Sequence, residues 1–159
     1  MEEAHDLSVS ATAVSGDGKL VASGSHDESI RVWDATTSKK LLRLSPGLPG
    51  WITNLIFSPD ASLIASVSDG DANDVQTWHV DTGENRYLQA VHSNPVRAIA
   101  FSPDGKSIAS ADEDRFVFLR ELETGNVYRQ SDHERVVAIT FRPDGQALLA
   151  GTGRGSLRW

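Results

Sequence analysis

One short turn motif returns along this chain at a nearly constant interval. It reads Ala13-Val14-Ser15-Gly16-Asp17-Gly18, then Ile56-Phe57-Ser58-Pro59-Asp60-Ala61, then Ala100-Phe101-Ser102-Pro103-Asp104-Gly105, then Thr140-Phe141-Arg142-Pro143-Asp144-Gly145. The aspartates stand 43, 44 and 40 residues apart. A fixed period of this length means copies of one supersecondary unit, none of which can bury its apolar face without a neighbour. Each motif is a turn for a stated reason: proline presets φ, aspartate accepts backbone hydrogen bonds, and glycine takes positive φ.

Apolar residues flank every turn, the upstream ones at matching offsets. Upstream lie Val9/Thr12/Val14, Ile52/Leu55/Phe57, Val96/Ile99/Phe101 and Val136/Ile139/Phe141, with only Thr12 out of character. Downstream lie Leu20-Val21-Ala22-Ser23, Leu63-Ile64-Ala65-Ser66, Ile108-Ala109-Ser110 and Leu148-Leu149-Ala150-Gly151. Each unit therefore opens with a β-hairpin. A third strand follows a polar turn, as in Ser29–Asp34 or Phe116–Leu119, and a weaker fourth runs through Lys40–Leu44, Arg86–Leu88 and Val127-Tyr128. No period-3.6 pattern competes with this reading, so the chain is all-β, with four short strands per unit. The expected divisions are 1–44, 45–88, 89–128 and 129–159, the last unit being incomplete.

Composition narrows the function classes. Fifteen basic against 22 acidic residues leave a net charge of −7, which repels a phosphate backbone or an anionic membrane surface. Neither nucleic acid nor membrane is an expected partner. The absence of cysteine removes disulfides, thiolate chemistry and cysteine-ligated zinc, and fits a reducing compartment, so the expected location is cytoplasmic.

The first unit continues as Ser23-Gly24-Ser25-His26-Asp27-Glu28-Ser29-Ile30-Arg31-Val32-Trp33-Asp34. This run is similar to the central signature of the WD-repeat (tryptophan-aspartate) β-propeller family, and with the period and the turn motif the resemblance covers essentially the whole chain. It implies four-stranded antiparallel blades, about four of them with the last incomplete, in a partial propeller. It also implies a buried network in each blade, formed by a leading His, a second-strand Ser or Thr, a turn Asp and a third-strand Trp. The matching residues are His5, Ser23, Asp27 and Trp33 in the first unit; Ser66 and Trp78 in the second; His92, Ser110 and Asp114 in the third; and His133 in the fourth. The second unit lacks the histidine, the third has Arg120 where the tryptophan belongs, and the fourth has Arg154 in place of the aspartate.

A histidine–aspartate pair can serve acid–base chemistry, but catalysis also requires a nucleophile and an oxyanion site, and the network that the resemblance implies already accounts for these residues as bonds within each blade, so no catalytic residue is expected. The acidic turn Asp69-Gly70-Asp71-Ala72-Asn73-Asp74 spaces oxygen ligands at Asp69, Asp71 and Asn73 as a calcium loop begins. It has Asp74 instead of glycine at the sixth position and Val80 instead of glutamate at the twelfth. No metal or cofactor is therefore expected, and this turn is the sole support for a calcium-binding or enzymatic alternative. Trp51, in the loop before a first strand, is a natural interface anchor, and Arg97, Arg115 and Arg135 stand at or beside inter-strand turns where a partner would dock.

The family resemblance implies a non-catalytic scaffold that presents loops to protein or peptide partners, or a regulatory repeat segment of a larger signalling protein. Fewer than four complete units leave blade faces and edge strands to be covered. Blades of a longer chain, a second copy, or closure into a four-blade ring are the ways to cover them.

Overall fold

The computed structural model describes residues 5–45, 50–70, 73, 75–87, 92–131 and 134–158. Every regular element among them is a strand. The first sheet holds β1 (Val9–Val14), β2 (Leu20–Ser25), β3 (Ile30–Asp34) and β4 (Lys40–Leu44) in chain order. The second holds β5 (Ile52–Phe57), β6 (Leu63–Ser68), β7 (Val75–His79) and β8 (Asn85–Tyr87), and the third β9 (Val96–Phe101), β10 (Ser107–Asp112), β11 (Phe116–Glu121) and β12 (Val127–Ser131). The fourth has three strands, β13 (Val136–Phe141), β14 (Leu148–Thr152) and β15 (Leu157–Arg158). All pairings are antiparallel between consecutive strands, the meander of a propeller blade. The division expected at 128/129 falls inside β12. Only Val127 and Tyr128 announce that strand by their apolar character, whereas Arg129 and Gln130 extend it by backbone pairing with Phe118 and Val117.

The recurrent turn works the same way in the first three sheets. The Ser15, Ser58 and Ser102 hydroxyls donate to Asp17, Asp60 and Asp104 at 2.7, 2.6 and 2.6 Å. The same hydroxyl oxygens accept the N–H of Leu20, Leu63 and Ser107, each at 2.9 Å. Each aspartate also accepts a backbone N–H two residues on. In the fourth sheet Arg142 replaces the serine and donates its Nε–H to Asp144 at 2.8 Å. Hydrogen bonds to the charged form hold these carboxyls low. Asp17 is brought to about 2, chiefly by the Lys19 N–H and the Ser15 hydroxyl.

The chain forms two compact units, 1–88 and 89–159. In the first, β1 and β2 pack against β5, and the core gathers Ala22, Ile30, Val32, Leu44, Ile52, Leu55, Ile64 and Trp78. Ile30, Ile52 and Ile64 are fully buried, each contributing about 1.5–3 kcal/mol by removal from water. In the second, β9 and β10 pack against β13 around the smaller side chains Ala98, Ala111, Val136 and Ala150. Each first strand carries a register irregularity near its start, between Val9 and Ala11 and between Ile52 and Asn54 in the first unit.

Candidate functional site

Two kinds of polar grouping sit at the loop ends of these sheets, one buried and one exposed. In the first sheet His5 Nδ1 lies 3.1 and 3.0 Å from the two Asp27 oxygens, His5 Nε2 lies 2.7 Å from Ser23 Oγ, and Trp33 Nε1–H donates to the same Oγ at 3.1 Å. An indole can only donate and a carboxylate only accept. For a neutral imidazole the proton order is then fixed: Trp33 to Ser23, Ser23 to His5 Nε2, His5 Nδ1–H to Asp27. Burial raises the Asp27 pKa, but bonds from the Ser29 hydroxyl, the Asp6 N–H and His5 outweigh it and hold the carboxyl well below its ordinary range. Arg31, itself buried, adds a guanidinium 3.6 Å from Asp27.

The second sheet retains half of this chain of bonds: Trp78 Nε1–H donates to Ser66 Oγ at 3.0 Å, with Trp78 3% exposed. In the third, His92 Nε2 meets Ser110 Oγ at 2.7 Å, but the carboxylate on His92 Nδ1 is Asp112, at 2.8 Å, and not Asp114. Asp112 lies two residues beyond Ser110 on β10 and so shares its face of the sheet, directly beneath the imidazole. Asp114 stays exposed in the turn and accepts the Asn94 side-chain amide. The Ser110-Ala111-Asp112 alternation was the available signal. Phe118 meets His92 edge-on, with ring centroids 4.5 Å apart, on the same strand as the Arg120 that replaces tryptophan. His133 lies outside the described residues. Next to it, Glu134 accepts the hydroxyls of Thr152, at 2.5 Å, and Ser156. The His5 and His92 groups are buried and bonded to one another, so they fix the sheets and the loops that these carry.

The exposed grouping is centred on Trp51. Its ring stacks on His26, with centroids 4.1 Å apart and planes 10° from parallel, yet 49% of the residue meets solvent. The backbone beneath it is tied on both sides. Trp51 N–H donates to Asp69 Oδ1 at 2.8 Å, Asp69 N–H donates to the Trp51 carbonyl at 3.1 Å, and Gly50 N–H donates to Glu28 Oε1 at 3.3 Å. Gly50 is glycine by necessity: its φ is 145°, and a Cβ there would stand 2.6 Å from the Gly70 nitrogen. Three loops, preceding β3, β5 and β7, thus converge under one exposed indole.

In the second unit Glu113 gathers two of the arginines. Arg97 donates to it through Nε at 2.8 Å and Nη2 at 2.5 Å, and Arg135 Nη1 lies 3.6 Å away. Arg115, held at φ 70°, lines a cavity of about 290 Å³ with Glu134, Arg135, Gly153 and Arg154. The arginines are interleaved with carboxylates instead of forming one basic face. Of the acidic turn, Asp69 spends one oxygen on the Trp51 N–H, Asn73 sits at φ 45°, and Asp71 lies outside the described residues. Among the described residues no group of three His, Cys, Asp or Glu side chains is placed to hold a metal ion.

Repeated four-stranded meanders locked by such polar chains define a propeller-type repeat protein. The WD40 profile (WD domain, G-beta repeat) matches residues 2–34, 40–73 and 85–120, and the chain belongs to that family. The second and third matches begin on β4 and β8, the last strands of the preceding sheets, so these two sequence repeats each take in strands of two consecutive sheets. The chain is 29% identical over 151 residues to the WD repeat-containing protein SL1-17 of Schistosoma mansoni, covering 94% of this chain and 49% of that protein. It is 29% identical over 142 residues to the target of rapamycin complex subunit wat1 of Schizosaccharomyces pombe, covering 87% and 44%. It therefore spans about half the length of these relatives or less. The crystal structure of the computationally designed Ika4 protein superposes with a TM-score of 0.82 at 25% identity, over 99% of this chain and 93% of that one. WD repeats are generally protein-interaction scaffolds and typically non-catalytic.

Proposed function

We propose that this chain is a non-catalytic scaffold that holds a protein or peptide partner at the loop end of its first two sheets, with Trp51 as the anchor. The observation that carries this reading is an indole half exposed to solvent on a rigid base of one stacked ring and three backbone hydrogen bonds. Aromatic side chains dominate interface energetics, and an anchor already fixed in place loses little conformational freedom when a partner covers it. Family membership supports the class of function, and the buried polar networks hold the loops that present the anchor. The arginines around Glu113 offer a second contact area within the other unit.

The test is affinity capture from a lysate with the wild-type chain and with Trp51→Ala, the retained proteins being identified by mass spectrometry. Trp51 projects from a loop, so the variant keeps its circular dichroism spectrum and melting temperature. The expected result is a discrete set of proteins retained by the wild type and lost by the variant. Identical sets from both would overturn the assignment of Trp51 as the anchor.

A further inference from the structure

The surroundings of Trp51 are specific in charge as well as shape. We infer that the Trp51 platform takes an arginine or lysine side chain of an extended basic peptide. This rests on the reading of Trp51 as the partner anchor and names the chemistry of what it holds.

Three observations converge. First, the His26 imidazole covers one face of the indole, and 49% of the residue still meets solvent. A flat guanidinium or an ammonium is attracted to such a face by the ring quadrupole, and tryptophan is the strongest of the aromatic side chains in this respect. Second, two carboxylates border the platform. Glu28 is bonded to the Gly50 N–H and Asp69 to the Trp51 N–H, each through one oxygen, and both residues are exposed. Each carboxylate keeps a second oxygen with which to accept from a cation. Third, Arg31 of β3 is buried and engaged by Asp27 and Asp6. The chain's net charge of −7 draws a basic segment toward the site and repels an acidic one.

Glu28 stands in the left-handed region, at φ 63°, in the turn before β3. Arg115 stands at the equivalent turn position before β11, also left-handed, at φ 70°. The two turns share a backbone geometry and carry opposite charges. Trp51 and Asp69 join Glu28 and leave the first unit's version selective for cations.

The experiment uses the full chain and its four indole N–H signals in a ¹H–¹⁵N spectrum, with the Trp51 signal assigned by its loss in Trp51→Phe. Three synthetic pentapeptides are titrated, identical except for two arginines, two lysines or two glutamates. The expected result is a saturable shift of the Trp51 signal with the arginine and lysine peptides and none with the glutamate peptide. The double variant Glu28→Gln, Asp69→Asn keeps both amide acceptors and removes both charges. It should bind the arginine peptide about fivefold more weakly with the spectrum otherwise unchanged. A glutamate peptide that shifts the Trp51 signal as strongly, an arginine peptide that leaves it in place, or equal binding by the double variant would each overturn the inference. The broader reading fails separately, when lysate capture is indifferent to Trp51→Ala. If capture depends on Trp51 while the basic peptides do not move its signal, only the charge assignment falls.

Discussion

Gly24→Ala is the substitution whose cost the packing fixes most directly. Gly24 lies on β2 between Ser23 and Ser25 and faces β5 of the next sheet. A Cβ there would stand 2.4 Å from Ile52 Cγ2, 2.9 Å from Ile52 Cβ and 3.0 Å from Leu55 Cδ1. Ile52 and Leu55 are 1% and 3% exposed, so neither has solvent to move into, and the two sheets must separate locally. Overpacking of this kind costs about 1–3 kcal/mol. Replacing glycine within a strand returns about 0.5–1 kcal/mol. The net expectation is a destabilisation of about 1–2 kcal/mol, read in urea by circular dichroism as a lower midpoint at unchanged slope. Gly151 stands at the equivalent position of β14, where a Cβ would meet Ala138 Cβ at an ordinary 3.8 Å. Gly151→Ala should therefore be neutral or stabilising by about 0.5 kcal/mol. Combining Gly24→Ala with Ile52→Ala should cost less than the sum of the two, by about 1–2 kcal/mol, because the second change removes the methyl that the first one strikes. A harmless Gly24→Ala, or additive effects in the double variant, would refute close packing of the first sheet on the second.

Further outcomes follow from the turns and the networks. Ala61 takes φ 59° where Gly18, Gly105 and Gly145 take 72°, 70° and 73°, so Ala61→Gly should raise stability by about 0.5–1 kcal/mol, measured in the same urea titration. Asp112→Asn should cost about 1.5–3 kcal/mol through its bond to His92, while Asp114→Asn should stay within about 0.5 kcal/mol; the reverse order would restore Asp114 as the network acid. The turn aspartates Asp17, Asp60 and Asp104 have folded-state pKa values below the ordinary 3.8, Asp60 and Asp104 chiefly through the Ser58 and Ser102 hydroxyls. Their contribution is then fully present above about pH 4 and is lost as pH falls toward 2. Thermal melts should show that loss, and Ser15→Ala, Ser58→Ala and Ser102→Ala together should flatten it.

The hairpins, their turns and the four-strand period were legible because each rests on local chemistry repeated in register. Ser-x-Asp turns and alternating apolar residues specify backbone conformation within a few residues. The first-sheet network was legible for the same reason: His5, Ser23, Asp27 and Trp33 all stand at their expected offsets. The third sheet was misread because a carboxylate at Asp112 and one at Asp114 are equally available along the chain, and only the pleat of β10 decides which lies under His92. The end of β12 was hidden because an edge strand needs backbone pairing and no apolar residue. The partnership of Trp51 with His26, Glu28 and Asp69 joins three loops separated by tens of residues, and no local pattern announces it.

The central claim is that the loop end bearing Trp51 is where a partner sits. Hydrogen–deuterium exchange of the chain, alone and with a partner recovered by the wild type, tests it most directly. Slowed exchange at residues 26–29, 50–53 and 69–70 is the predicted result. Protection confined to residues 113–115, 135 and 153–155, with the Trp51 loops exchanging as they do alone, would place the interface elsewhere and contradict the account.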